Sequence, residues 1–189
     1  GLISYAESFG KSRDWYAEAS FDWKRDFGLH HLSALALYNQ SKTYYPDSDY
    51  PGIPRGYVGL VGRVTYDYDN KYLIEGNVGY NGSENFAPGN RYGFFPGVSA
   101  GWTLSKENFM SNINWLDNLK LRASWGQMGN DAIAAYQYLV LYGLSSGAVF
   151  NGAQASGLYQ KGTPNPNITW EIANSYDVGV ESRFFGGQL

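Results

Sequence analysis

Apolar side chains return at every second position along most of this chain, a spacing that belongs to strands rather than helices. Trp15, Ala17, Ala19, Phe21 and Trp23 alternate with Tyr16, Glu18, Ser20, Asp22 and Lys24, and Arg25 to Gly28 reads as a short turn. In Leu29 to Gln40 both faces are partly apolar. Leu32, Ala34, Ala36 and Tyr38 oppose His31, Ser33, Leu35 and Leu37, and the first set is expected to face outward. Ser41 to Tyr57, with its prolines, tyrosines and aspartates, reads as a long loop. Val58, Leu60, Val64, Tyr66 and Tyr68 then oppose Gly59, Val61, Arg63, Thr65 and Asp67, and Asp69-Asn70-Lys71 makes a tight turn.

The next stretch sets Tyr72, Ile74, Gly76, Val78 and Tyr80 against Leu73, Glu75, Asn77 and Gly79. A loop from Asn81 to Pro96 leads to Val98, Ala100, Trp102 and Leu104, set against Ser99, Gly101 and Thr103. Ser105 is placed to cap a single helical turn. Leu119, Leu121, Ala123 and Trp125 oppose Lys120, Arg122, Ser124 and Gly126. Met128 to Asn167 is dense in Gly, Ala, Ser, Tyr and Asn. The closing strand sets Trp170, Ile172, Tyr176, Val178, Val180 and Phe184 against Thr169, Glu171, Ser175, Asp177, Glu181 and Arg183. These are about seven antiparallel strands in an all-β, up-and-down meander.

In the clear strands that carry charges, each charge in the strand core sits opposite the apolar set. A soluble sandwich alternates in the same way, apolar side in and polar side out. Two features favour a membrane barrel instead. Short connections (around Phe27, Asn70 and Gly186) alternate with long ones (around Pro51, Gly89 and Gly147), as periplasmic turns alternate with external loops. Apolar faces also end in Trp, Tyr and Phe, which suits the lipid interface. Trp170, Tyr176, Val178 and Val180 are then expected on the convex, lipid-facing side, and Arg63, Asp67, Glu75, Asn77, Glu171, Asp177, Glu181 and Arg183 on the lumen side. Glu181 and Arg183, neighbours on one face, are expected to pair with each other or with a plug.

Composition narrows the picture. The chain of 189 residues has 17% aromatics and 24 glycines, a β-rich profile. It has no cysteine, which excludes disulfides and thiolate metal sites. Its net charge of −3 gives no reason to invoke nucleic acid. Mean hydropathy is −0.40, and no apolar run approaches the roughly 20 residues of a spanning helix. Barrel strands escape that test because alternate residues face the lumen. Gly1-Leu2-Ile3-Ser4-Tyr5 shows neither a leader pattern nor an initiating Met, so the chain is expected to be a piece of something larger.

Six segments carry a family resemblance: Lys71-Tyr72-Leu73; Tyr80-Asn81-Gly82-Ser83-Glu84-Asn85-Phe86; Asn90-Arg91-Tyr92-Gly93-Phe94-Phe95-Pro96-Gly97-Val98-Ser99-Ala100-Gly101-Trp102; Trp125-Gly126-Gln127-Met128-Gly129-Asn130; Asn165-Pro166-Asn167-Ile168-Thr169-Trp170-Glu171; and Tyr176-Asp177-Val178-Gly179-Val180-Glu181. Spread in this order over somewhat more than half the chain, they resemble the barrel of SusC/RagA-like TonB-dependent outer-membrane transporters. One departure stands at Gly82 to Phe86, where the family often carries basic residues just before the loop and at Glu84 or Asn85.

The resemblance implies a segment of a large transmembrane barrel in the Gram-negative outer membrane. Such a barrel has about 22 strands around a plug, and the plug, the TonB box and the remaining strands are expected to lie outside this chain. Seven strands cannot close, so the chain is not expected to transport anything alone. The resemblance further implies uptake of oligosaccharides or peptides with a SusD-like surface lipoprotein, energised through TonB acting on the plug. It implies no cofactor and no enzymatic chemistry. A soluble all-β carbohydrate-binding module is the alternative.

The loops supply the ligand-contact candidates: Tyr44, Tyr45 and Tyr50 with Asp47 and Asp49; Phe86, Arg91 and Tyr92; and Tyr136, Tyr138 and Tyr142. Aromatic faces stack on sugar rings or peptide side chains, and Asp takes hydroxyl hydrogen bonds. Other arrangements carry less. Adjacent strand residues such as His30 and His31 point to opposite faces and cannot easily share a metal. Glu171 and Asp177 are roughly 20 Å apart along an extended strand, too far for a glycosidase pair. Tyr142 to Leu158 lacks the Gly-Lys-Ser/Thr ending of a phosphate loop.

Overall fold

The computed structural model describes residues 10–45, 53–113, 115–133, 136–145 and 147–185. The strands are β1 (Arg13–Phe27), β2 (His30–Tyr44), β3 (Arg55–Tyr68), β4 (Tyr72–Ser83), β5 (Tyr92–Thr103), β6 (Leu116–Asn130), β7 (Tyr142–Ser145), β8 (Val149–Phe150), β9 (Ala153–Gln154), β10 (Gly157–Gln160) and β11 (Glu171–Phe184). Seven of them form one antiparallel sheet in the order β1-β2-β3-β4-β5-β6-β11, and every neighbour in space is the next long strand in sequence. The other four make two small ladders, β7 with β10 and β8 with β9.

Alternation fixes the register, because a slip of one residue would send every apolar side chain to the wrong face. Ala34 pairs with Val64, Val64 with Gly76, Gly76 with Val98, Val98 with Trp125 and Trp125 with Tyr176. Leu32, Ala34, Ala36 and Tyr38 therefore share the apolar face, as alternation predicts. The opposite face runs through Arg63 paired with Asn77, and Glu181 paired with Lys120. His30 faces the apolar side and His31 the polar side. Their Nδ1 atoms meet the Tyr66 hydroxyl at 2.7 Å and Asp26 Oδ1 at 2.6 Å.

Among the described residues, no second sheet covers the apolar face. Val178 is 84% exposed, and Phe21, Val64, Ile74, Val98 and Val180 are exposed as well. A sandwich would bury these positions. The small buried core lies instead among the loops, where Phe86, Phe95 and Trp170 pack together. Among the described residues no helix is long and apolar enough to cross a membrane.

Two of the three connections at one end are tight turns, but the third, 104–115, is longer than two of the three at the other end. At one end are Gly28-Leu29, Asp69 to Lys71, and 104–115; at the other are 45–54, 84–91 and 131–170. Gly28 closes its two-residue turn with φ +65°, a conformation glycine adopts without steric cost. The strands run further than alternation alone indicates. Ser41 to Tyr44, Arg55 to Tyr57, Asn81 to Ser83 and Tyr92 to Gly97 all belong to strands, so the second long loop shrinks to 84–91. Pro96 is tolerated inside β5 because the pairing with β6 begins only at Gly97.

Two further expectations change. Two short 3₁₀ turns, Leu104–Lys106 and Asn108–Met110, follow β5, and Ser105 lies inside the first of them. Its hydroxyl donates to Asn118 Oδ1 at 3.3 Å instead of capping a backbone N–H. Trp170 precedes β11 and does not join its apolar face; at 7% exposure it turns into the loop core.

Candidate functional site: polar wall and loop core

The register gathers Arg63, Asp67, Glu75, Asn77, Glu171, Asp177, Glu181 and Arg183 onto one polar face. The organising residue there is Arg122 on β6. Its Nη2 lies 3.8 Å from Asp177 Oδ1, and its Nε lies 3.5 Å from Glu181 Oε1. Gly179, directly across the ladder, makes this possible. A Cβ at that position would sit 2.5 Å from Arg122 Nε, so the bare backbone lets the guanidinium lie flat between the two acids. Glu181 is thus partnered by Arg122, its diagonal neighbour on β6, and not by Arg183. A trough of about 530 Å³ lies beside this cluster, lined in part by Asp67, Glu75, Lys120 and Ser124.

At the loop end, the polar face turns aromatic. The Phe95 ring extends over Gly129, a position with no space for a Cβ. The Trp170 ring meets Phe95 edge-on at 5.2 Å and lies 5.3 Å from Phe86. Hydrogen bonds knit the loops around these rings. Trp170 Nε1 donates to the Arg91 carbonyl at 2.9 Å, and Arg91 Nε donates to the Phe86 carbonyl at 3.2 Å. Asn90 Nδ2 donates to the Pro166 carbonyl, and Asn85 Nδ2 to the Asp131 carbonyl. The Tyr136 hydroxyl donates to the Ile53 carbonyl at 2.8 Å, tying the third loop to the first. The Asn81–Phe86, Asn90–Phe95 and Asn165–Glu171 segments, which carry much of the resemblance, meet at this point.

That arrangement redistributes the ligand candidates. Phe86 is 0% and Tyr136 1% exposed, so neither ring has surface to offer a ligand: Phe86 belongs to the loop core, and Tyr136 is buried where its hydroxyl reaches the first loop. The Arg91 Nε is committed to that core. Tyr92 lies on the apolar face, stacked on Tyr80 at 5.3 Å, and Tyr44 lies on the same face of β2. Tyr45, with φ 58°, and Tyr142 are exposed, and Tyr138 is half-buried. Asp47, Asp49 and Tyr50 lie outside the described residues. Chain order conceals this core because its members come from loops some eighty residues apart. The visible signals are Asn85 beside Phe86, Pro96 beside Phe95 and the Asn165-Pro166-Asn167 run shortly before Trp170.

The turn end is held differently. Glu107 accepts hydrogen bonds from Lys71 Nζ at 2.8 Å, the Tyr72 hydroxyl at 2.6 Å and Trp102 Nε1 at 3.0 Å. The Lys71 ammonium first, and the Tyr72 hydroxyl second, hold its carboxyl down at about 2. Lys106 Nζ donates to the Asp69 carbonyl at 2.8 Å, closing the 104–115 connection over the neighbouring turn.

Comparison with known proteins places this sheet. The family described as TonB dependent receptor-like, beta-barrel matches residues 2–189. TonB-dependent receptor P26 of Formosa agariphila is 39% identical over 142 residues, covering 75% of this chain and 14% of that protein. TonB-dependent receptor SusC of Bacteroides thetaiotaomicron is 33% identical over 141 residues, 70% of this chain and 14% of that protein. The structure of the RagAB peptide transporter superposes with a TM-score of 0.74 at 21% identity, over 94% of this chain and 22% of that one. The chain belongs to the TonB-dependent receptor β-barrel family. It is an all-β segment of a large outer-membrane barrel of the SusC/RagA type, and it spans about a seventh of the length of these two curated relatives. Those relatives are receptors, and they do not favour a soluble binding module.

Proposed function

We propose that residues 1–189 form part of the wall and external loops of a larger TonB-dependent importer that takes up oligosaccharides or peptides. The observation that carries this reading is the exposed apolar face. A continuous sheet of bare Val, Ile, Phe and Trp side chains, backed by a charged face, needs hydrocarbon on one side and water on the other. The face bearing Arg63, Asp67, Glu75, Asn77, Arg122, Glu171, Asp177, Glu181 and Arg183 lines the lumen against a plug. The end with the long connections faces the cell exterior, where a SusD-like lipoprotein covers the loops and TonB acts through the plug from below. Of the ligand candidates among the described residues, Tyr45, Tyr138 and Tyr142 keep surface for substrate. The chain contributes no catalysis and holds no cofactor.

The test uses the full-length receptor in lipid, with single cysteines at Val178 and Asp177 carrying a fluorophore. Brominated acyl chains should quench the label at Val178→Cys and leave the one at Asp177→Cys bright. Quenching at Asp177→Cys instead would overturn the facing. Uptake of a labelled oligosaccharide or peptide should also stop when TonB or the surface lipoprotein is deleted.

A further inference from the structure

We propose that Lys11, Arg13 and Lys42 form a binding site for the phosphate-bearing headgroup of an outer-leaflet glycolipid, on the lipid side of the barrel where β1 and β2 reach the external rim. This rests on the orientation proposed above. Four charges of the seven long strands lie away from the polar face, all of them near strand ends. Arg25 lies at the turn end, as does Asp117, the extra residue of the irregularity between β6 and β11. Arg13 and Lys42 lie at the loop end. Lys11, just before β1, joins them. At that end, the apolar face of these strands presents cations and no carboxylate.

The cations are held, but not neutralised. Arg13 pairs across the ladder with Tyr44, and Lys42 with Trp15. The Arg13 guanidinium and the Lys42 ammonium each lie 5.9 Å from the centre of the same Tyr44 ring. Lys11 Nζ lies 4.3 Å over the ring of Tyr45. Ring faces attract cations, but two cations on one ring repel each other until an anion bridges them. Among the described residues, no ion pair engages any of the three.

The depth is right for a headgroup. A strand of 15 residues at about 3.3 Å each, tilted by about 40°, rises about 38 Å, whereas the apolar band of such barrels is about 25 Å tall. Residues two or three places from the strand end therefore stand above the acyl chains. Trp15, beside Lys42, marks the interface. Arg and Lys bind phosphate through charge-assisted hydrogen bonds, and the outer leaflet of a Gram-negative membrane supplies phosphorylated glycolipid at this level.

The experiment uses the delipidated full-length receptor in detergent, with native mass spectrometry as readout. Purified diphosphoryl lipid A, its dephosphorylated form and inorganic phosphate are offered separately. The wild type should retain lipid A, and the double variant R13Q/K42Q should bind it at least tenfold more weakly. R13K/K42R, which keeps both charges, should bind as the wild type does and shows that loss is not misfolding. R25Q, on the same face at the other end, should leave binding unchanged. The proposal is overturned if R13Q/K42Q binds normally, if dephosphorylated lipid binds equally well, or if equimolar inorganic phosphate displaces the lipid. Reaction of Lys42→Cys with an impermeant maleimide on intact cells reports the orientation separately, so a failed lipid site and an inverted barrel give different results.

Discussion

The two ends of the sheet are closed by different forces. At the turn end, one carboxylate gathers an ammonium, a phenol and an indole N–H, and a lysine clamps the adjacent turn. At the loop end, three aromatic rings exclude water and neutral hydrogen bonds run from loop to loop. The first device depends on protonation and screening; the second depends on buried area. Loops that meet here have to be held across large separations in sequence, and burial of a few rings does that regardless of where each loop begins. At the turn end, strand register sets Tyr72 beside Trp102, and the 104–115 connection brings Glu107 over both without a core.

The strongest test of this contrast removes the keystone of the loop end. Trp170→Ala should cost about 3–5 kcal/mol in the loop region, the range for large buried aromatics, and should leave 84–91 and 131–170 open to protease while the barrel stays heat-resistant on a gel. If the whole barrel melts together, the loop core is not a separate unit.

Midway between the ends neither device operates and lipid decides. Val178→Arg should cost about 2–4 kcal/mol in reversible unfolding in lipid if it lies near the midplane. Gly179→Arg should cost less, but not nothing. The new side chain displaces Arg122 and forfeits its pairs with Asp177 and Glu181, exposed ones worth about 1 kcal/mol or less. Equal losses at the two positions would mean that the facing is wrong.

Acid should loosen the turn end first. The carboxyl of Glu107 falls from about 4.5 to about 2 on folding, so the unfolded chain takes up the proton first. Its stabilisation is complete above about 4.5 and disappears as the pH falls through about 2. Hydrogen exchange across 104–115 should speed up over that window and not at the loop core. Glu107→Gln should remove the pH dependence; an unchanged profile would show that Glu107 does not carry it. The smallest effect is expected for Arg122→Gln, within about 1 kcal/mol at low salt and vanishing at high salt.

Much of this was legible from period two alone. Each central strand and its facing followed from alternation, because one face had to meet lipid and the other water. Strand ends were not legible, since alternation of apolar and polar side chains lapses in Ser41 to Tyr44 and Arg55 to Tyr57. Trp170 shows the same limit from the other side. It falls in phase with Ile172 and Tyr176, yet β11 starts one residue later, and the ring belongs to a core assembled from other loops. Phe86 and Tyr136 looked like exposed loop aromatics for the same reason, as sequence does not reveal which rings meet. Arg122 appeared only as one polar residue among several, because its role depends on a glycine in another strand.

The hairpin inside the longest connection also bears on how the sheet comes together. Pairing β6 with β11 requires closure of the segment 131–170, whereas the other connections are far shorter. The cost of loop closure rises with each doubling of length by about 0.6 kcal/mol. Within that segment, residues 142–160 pair with themselves through β7–β10 and β8–β9, around Asn151-Gly152 with φ 50° and 77°, the signature of a turn that forms on its own. Once that arm has zipped, the chain left to wander is roughly halved and its ends are drawn together. The last strand then searches for its neighbour over a shorter tether, so the kinetics of this meander stay nearly local along its whole length.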